Sequence, residues 1–395
     1  MSINLEEVEI EEEFNNDDTE YSSQEDIQPD VSPAYRGLII QHRDWTVQTI
    51  VSQIQRGNID LNPQFQRRNV WSNARRTGLI ESLMLGIPVP EIILAEDRHR
   101  KYVVIDGKQR LSTLASFFRL DGYDSIWSPA KLTKNLTDDM LHLRGKAFTS
   151  FSPNEQSELE NASIRCSFIS GYSTTDVLYD IFHRLNSNSV ALSPQELRQV
   201  LNRGEFADYL VDVTNSYNSL HRVMKLKGPD DRLNDAELLL RFILITLFGR
   251  EYTGNLKKFL DEKMDFVNSN WSKYSDLVKS ITKDLMLTLD KLAEVLKAYE
   301  HIGRKRNKDQ FEIRFNKVLF EVEAFYFMNL LKRDKIIDNQ DKFLDRLTEI
   351  CNDPVFSASI ASTTKGLNEY RTRFTIFGSV MQEIWGLKLE NPFER

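Results

Sequence analysis

The spacing of apolar residues along this chain changes character near residue 204. Before that point short helical and extended patterns alternate. "TVQTIVSQIQRG" (46–57) reads as a helix stopped by Gly57. In "SNARRTGLIESLMLGIPVP" (72–90), Leu79, Ile80, Leu83 and Met84 form one helical face, Ser72 supplies an N-cap, and Gly86 and Pro88 end the run. "EIILAE" (91–96) and "YVVID" (102–106) are β-rich runs, and the charged "DRHRK" between them predicts a hairpin. "IRCSFI" (164–169) reads as a further strand. Beyond about 204 the strand signals vanish. "DAELLLRFILITLF", "DLVKSITKDLMLTLDKLAEVLKAY" and "QFEIRFNKVLFEVEAFYFMNLLKR" all keep the helical period. In the last, Phe311, Phe315, Val318, Leu319, Val322 and Phe325 form one stripe, which reads as core rather than as a cofactor box. No repeat of fixed period is found. The expected class is therefore α+β, with a mixed region over 35–203 and a helical region over 204–395.

Composition changes this picture at the N-terminus. Residues 1–34 are acidic, polar and poor in apolar side chains, so they are expected to be a disordered, solubilising tail. The chain's net charge of -8 is concentrated there: residues 1–30 hold twelve acidic residues and no Lys or Arg, which leaves +4 on the rest. That balance admits a phosphate-bearing partner for the folded part. Cys166 and Cys351 give neither a disulfide framework nor a zinc site, which suits a reducing compartment. No basic-then-apolar leader opens the chain. The most apolar run, "LLLRFILITLF", is interrupted by Arg241 and is shorter than the ~20 residues a bilayer span needs. A cytoplasmic protein with no membrane association is expected.

The candidate chemistry sits in "VVIDGKQRLSTLASFF" (103–118), where an apolar strand turns into an amphipathic helix. Leu111, Leu114, Ala115 and Phe118 share the buried face of that helix. Gly107 then stands at a helix start, where backbone N–H groups and the dipole favour an anion. Lys108 and Arg110 add positive charge, Gln109 can donate to a phosphate or orient a water, and Asp106 can hold a metal ion or polarise a water. An ordinary surface turn with a capping Asp and solvated Lys and Arg accounts for the spacing equally well. Two further segments tilt the balance. "NPQFQRRNVWS" (62–72) sets Gln66 and Arg67 among aromatics just before a helix. "TTDVLYDIFHRLNSNSVALSPQELRQ" (174–199) puts Val177, Leu178, Ile181, Phe182 and Leu185 on one face, with Arg184 and Asn186 at the end. The following "SPQE" is a capping box, which gives Glu196 a structural role instead of a catalytic one.

In combination, "FQRRNVW", "VVIDGKQRLSTL" and "IFHRLNSNSVALSPQELR" resemble the ParB/sulfiredoxin-like N-terminal domain family of GmrSD-type restriction endonucleases. "LNDAELLLRFI" (233–243) is similar to the family's first helix downstream, so the resemblance spans about residues 40–250. It implies a ParB/sulfiredoxin-like mixed α/β domain that binds and hydrolyses nucleoside triphosphate; Mg2+ is a candidate companion ion through Asp106. It assigns the triphosphate to Asp106, Gly107, Lys108, Gln109 and Arg110, joined by Gln66, Arg67, Arg184 and Asn186, with Asp106 and Gln109 the catalytic pair. The family commonly has Gln where Lys108 stands.

Family members often carry a His-Asn-His nuclease domain. After residue 230 the sole histidine is His301, in "AYEHIGRKRNK", so no such domain and no protein-held metal site is expected. The expected function is a nucleotide-hydrolysing module of a GmrSD-like defence system, with a separately encoded nuclease and DNA as partners. The alternative is a non-catalytic DNA- or protein-binding adaptor. "HIGRKRNK" itself is either a solvated loop or a phosphate-contacting patch.

Overall fold

The computed structural model describes residues 37–395 apart from 60, 62–70, 97–100, 124–125, 129, 134–135, 173–176, 179–180, 182–192, 332–338, 362–365, 387–389 and 395. These residues fall into two units, one ending at Leu201 and the other beginning at Asn202.

The first unit runs β1 (Ile39–Thr46), α1 (Val47–Gln55), α2 (Asn73–Met84), β2 (Ile92–Glu96), β3 (Tyr102–Asp106), α3 (Lys108–Phe117), α4 (Pro153–Asn161), β4 (Ser163–Ser170) and α5 (Pro194–Leu201). The strands form one mixed sheet in the order β1-β4-β2-β3. β4 pairs antiparallel with β1 and parallel with β2, and β2 and β3 form the expected antiparallel pair. Alternate residues of β2 explain its continuous apolar run. Ile92 and Leu94 join Val47, Ile50, Leu79, Leu111 and Leu114 in one core, while Ile93 and Ala95 join Ile169, Val177, Leu178 and Ile181 in another. A strand covered on both faces has no polar side to show. Each such aliphatic side chain contributes roughly 1.5–3 kcal/mol by burial.

Local signals also hold. Ser72 Oγ accepts from Arg75 N at the start of α2, and Gly86 closes that helix with φ +68°. The box before α5 is complete: Ser193 N donates to Glu196 Oε2 at 2.5 Å and Glu196 N to Ser193 Oγ at 3.0 Å. Strand β1 was not legible from pattern. Most of "IIQHRDWT" is exposed, Ile39 and Ile40 included, so no face of it alternates apolar with polar. Its backbone register with β4 defines it, from Ile39 opposite Ser170 to Thr46 opposite Ser163.

The second unit is helical: α6 (Glu205–Thr214), α7 (Ser219–Val223), α8 (Asn234–Phe248), α9 (Leu256–Ser269), α10 (Trp271–Leu296), α11 (Lys317–Leu331), α12 (Gln340–Asn352), α13 (Pro354–Ser359) and α14 (Leu367–Trp385). A two-residue-per-strand hairpin, β5 (Arg306–Asn307) and β6 (Gln310–Phe311), interrupts it. Helix α8 is buried over nearly its whole length, charged residues included. Arg241 Nε donates to Glu321 Oε1 at 2.6 Å, and Glu237 lies 3.7 Å from the same guanidinium. Tyr370 Oη donates to Glu321 Oε2 at 3.1 Å. His221 and Asp235, both fully buried, pair at 3.0 Å. Among the described residues no helix is long and apolar enough to cross a membrane.

Two expectations for this unit need correction. The aromatic stripe is not one helix, because α11 starts only at Lys317. Asn316 Oδ1 accepts from Val318 N and Leu319 N, a polar cap set inside an apolar period. Phe311 instead lies in β6, stacked on His301 at 4.1 Å, and Phe315 precedes the helix. In the basic run Arg304 and Arg306 are buried instead of solvated or open to phosphate, while Lys308 stays exposed. Arg304 donates to the carbonyls of Ile313, Val223 and Ile302, and Arg306 to that of Leu344. These guanidiniums pin loops to helices.

Candidate functional site

Strand β3 ends on Asp106, and the chain turns through Gly107 directly into α3. Gly107 adopts φ +95°, and a Cβ there would lie 3.0 Å from Ile92 Cγ1 and 3.3 Å from Ile92 Cα. Glycine is thus required twice over, by conformation and by the neighbouring strand. The helix closes its first turn with Leu111 N donating to Gly107 O at 2.9 Å.

Arg110 differs from its expected place on an exposed first turn. It is 9% exposed, and its Nη2 donates to Glu91 O at 2.9 Å and to Asp106 Oδ2 at 2.8 Å. The guanidinium therefore clasps the end of β3 to the residue preceding β2. Helical spacing explains the grip: Asp106 and Arg110 are four apart, one turn from strand end to helix. Asp106 keeps 42% of its side chain accessible, and Lys108 and Gln109 are half-buried. Gln109 Oε1 accepts from Trp71 N at 3.3 Å, which fastens the foot of α3 to the foot of α2. The corner and the end of the first segment are thus brought together. Gln66, Arg67, Arg184 and Asn186 lie outside the described residues.

A chain of polar side chains behind the clasp was missed from sequence. Ser167 Oγ donates to Glu91 Oε2 at 2.5 Å and lies 2.8 Å from His42 Nδ1. A hydroxyl has one proton to give, so with Glu91 as its acceptor Ser167 takes the Nδ1–H of His42. The direction is fixed as His42 to Ser167 to Glu91, whose own carbonyl receives Arg110. No local motif marks these residues. Their one signal is the cross-strand register that sets His42 opposite Ser167, and that needs the topology.

Helix α2 brings a second arginine. Arg76 is 3% exposed, donates from Nη1 to Asn73 Oδ1 at 3.3 Å, and lies over the Trp127 ring at 5.9 Å. Burial pushes its pKa down. Among the described residues, no group of three or more His, Cys, Asp or Glu could hold a metal ion. Mg2+ in nucleotide sites rests on one or two carboxylates plus phosphate oxygens, a demand that Asp106 can meet. Cys166 is unsuited to nucleophilic work, because burial pushes its thiol up to about 12.

Against known proteins, residues 47–201 match the family described as GmrSD restriction endonuclease, N-terminal domain. No curated protein and no solved structure matches the chain.

Proposed function

We propose that this chain, whose residues 47–201 are a GmrSD restriction endonuclease N-terminal domain, binds and hydrolyses nucleoside triphosphate for a GmrSD-like restriction system. A separately encoded nuclease would do the cutting. The observation that carries this reading is the corner: a strand end, a left-handed glycine and a helix start surround partly exposed Asp106, Lys108 and Gln109. Lys108 and the helix dipole face the phosphates, Gln109 orients the attacking water, and Asp106 takes its proton or holds Mg2+. Arg110 keeps the corner in shape. Gln66, Arg67, Arg184 and Asn186 complete the phosphate shell by family resemblance.

The test is phosphate release from each nucleoside triphosphate with Mg2+, with and without DNA, beside calorimetric binding. Lys108→Ala should cost roughly 1.5–3 kcal/mol of charge-assisted contact, a tenfold to hundredfold loss of affinity. Asp106→Asn should lower turnover more than affinity. If wild type binds no triphosphate, the non-catalytic adaptor takes the place of this reading.

A further inference from the structure

Arg110 uses its Nη2 on Glu91 O and Asp106 while its buried Nε has no hydrogen-bond partner, and a second buried arginine shares that feature. In Arg76 the Nη2 atom is buried and has no hydrogen-bond partner, and among the described residues its guanidinium's side-chain acceptor is the neutral Asn73 Oδ1. The indole Nε1 of Trp127, 1% exposed, is likewise buried and unpartnered. Two buried donors lacking an acceptor therefore lie together, the guanidinium 5.9 Å from the ring. Buried polar groups in folded proteins are almost always satisfied, and a buried charge without a counter-ion destabilises the fold.

Arg76 stands in the second turn of α2, the helix whose foot is fastened to α3 through Trp71 N and Gln109 Oε1. We infer that Arg76, with the indole N–H of Trp127, forms an oxyanion site beside the corner and is the arginine that grips the phosphate tail of the nucleotide. Two donors facing no acceptor suit a group that carries acceptors alone, as a phosphate does. A guanidinium also offers the forked geometry that a phosphate takes in bidentate fashion. The inference rests on the nucleotide reading only for the identity of the anion.

The experiment titrates the full chain with inorganic tripolyphosphate and with ATP by calorimetry, and records melting temperatures with and without each. Arg76→Met should bind both at least tenfold more weakly while its ligand-free melting temperature stays at or above that of wild type. Arg76→Lys, which keeps the charge and loses the fork, should fall between. Trp127→Phe keeps the ring and removes the donor, and should weaken binding several-fold. If the Arg76 variants bind ATP like wild type, the site is wrong and the nucleotide reading survives. A lower ligand-free melting temperature in Arg76→Met, with Trp127→Phe binding normally, overturns it by making Arg76 structural. If wild type binds tripolyphosphate through Arg76 and yet refuses ATP, the site stands and the nucleotide reading fails. Binding of neither probe overturns both.

Discussion

In the helical unit Arg241 meets Glu321 at 2.6 Å with Glu237 beside it, and His221 meets Asp235 at 3.0 Å, all buried. In the α/β unit Arg76 is as deeply buried and faces a neutral amide, while Arg110 shares a carboxylate that is 42% accessible. The helical unit sets carboxylates against Arg241 and His221, although its buried Arg304 rests on carbonyls. The other holds Arg110 at a corner whose Asp106, Lys108 and Gln109 are partly exposed, and Arg76 in the neighbouring helix. On the proposed reading the contrast sets a framework apart from a binding surface, because a charge with its counter-ion built in has nothing left to offer a ligand. Arginine count alone would not separate them.

The sharpest way to break this contrast is to remove one internal counter-ion. Glu321→Ala leaves Arg241 without its closest carboxylate and Tyr370 without an acceptor. It should cost about 3–5 kcal/mol, read from denaturant unfolding followed by helical circular dichroism. A loss under about 1 kcal/mol would mean that the network is not the framework described.

A somewhat smaller effect should come from Glu323, which is neutralised by a proton instead of a partner. Complete burial pushes its carboxyl up to about 8, against the opposing pull of the Gly303 N–H at 2.7 Å and the Arg304 charge. Between the ordinary carboxyl value of 4.5 and about 8 the folded chain holds a proton that the unfolded chain has released. Stability from this group is therefore full below that window and is lost as pH rises through it. The unfolding free energy from urea titration should fall between about pH 5.5 and about pH 8.5 by on the order of a few kcal/mol, and Glu323→Gln should flatten the slope. An unchanged slope in the variant would place the titration elsewhere.

The smallest effect belongs to the polar chain behind the corner. Ser167→Ala severs His42 from Glu91, whose carboxylate is partly exposed and can turn to water. About 1 kcal/mol of stability should be lost, with Ser167→Thr restoring it if the hydroxyl is what matters. A Ser167→Thr variant no better than Ser167→Ala would assign the loss to packing.

Legibility from sequence followed the physics of each element. Helices α1 and α2, the β2–β3 hairpin, β4 and the box at Ser193–Glu196 were readable, because caps, breakers and apolar spacing are local. The corner was readable as a corner. The task of Arg110 was not, since an arginine in a first turn looks the same whether it points at solvent or at a carbonyl nineteen residues back. Asn316 shows the reverse case, a local cap hidden inside a convincing periodic stripe. His42, Ser167 and Glu91 were invisible because their meeting depends on which strands adjoin.

That adjacency has a kinetic consequence. β1 borders only β4 in the sheet, and the bond between His42 and Ser167 spans 125 residues. Contacts of such sequence separation form late and slowly, after the entropy of a long loop has been overcome. On the ribosome, β1 leaves the exit tunnel well before β4 has been made. With both of its apolar isoleucines exposed, it waits through that interval as an unpaired strand, open to pairing with a neighbouring chain.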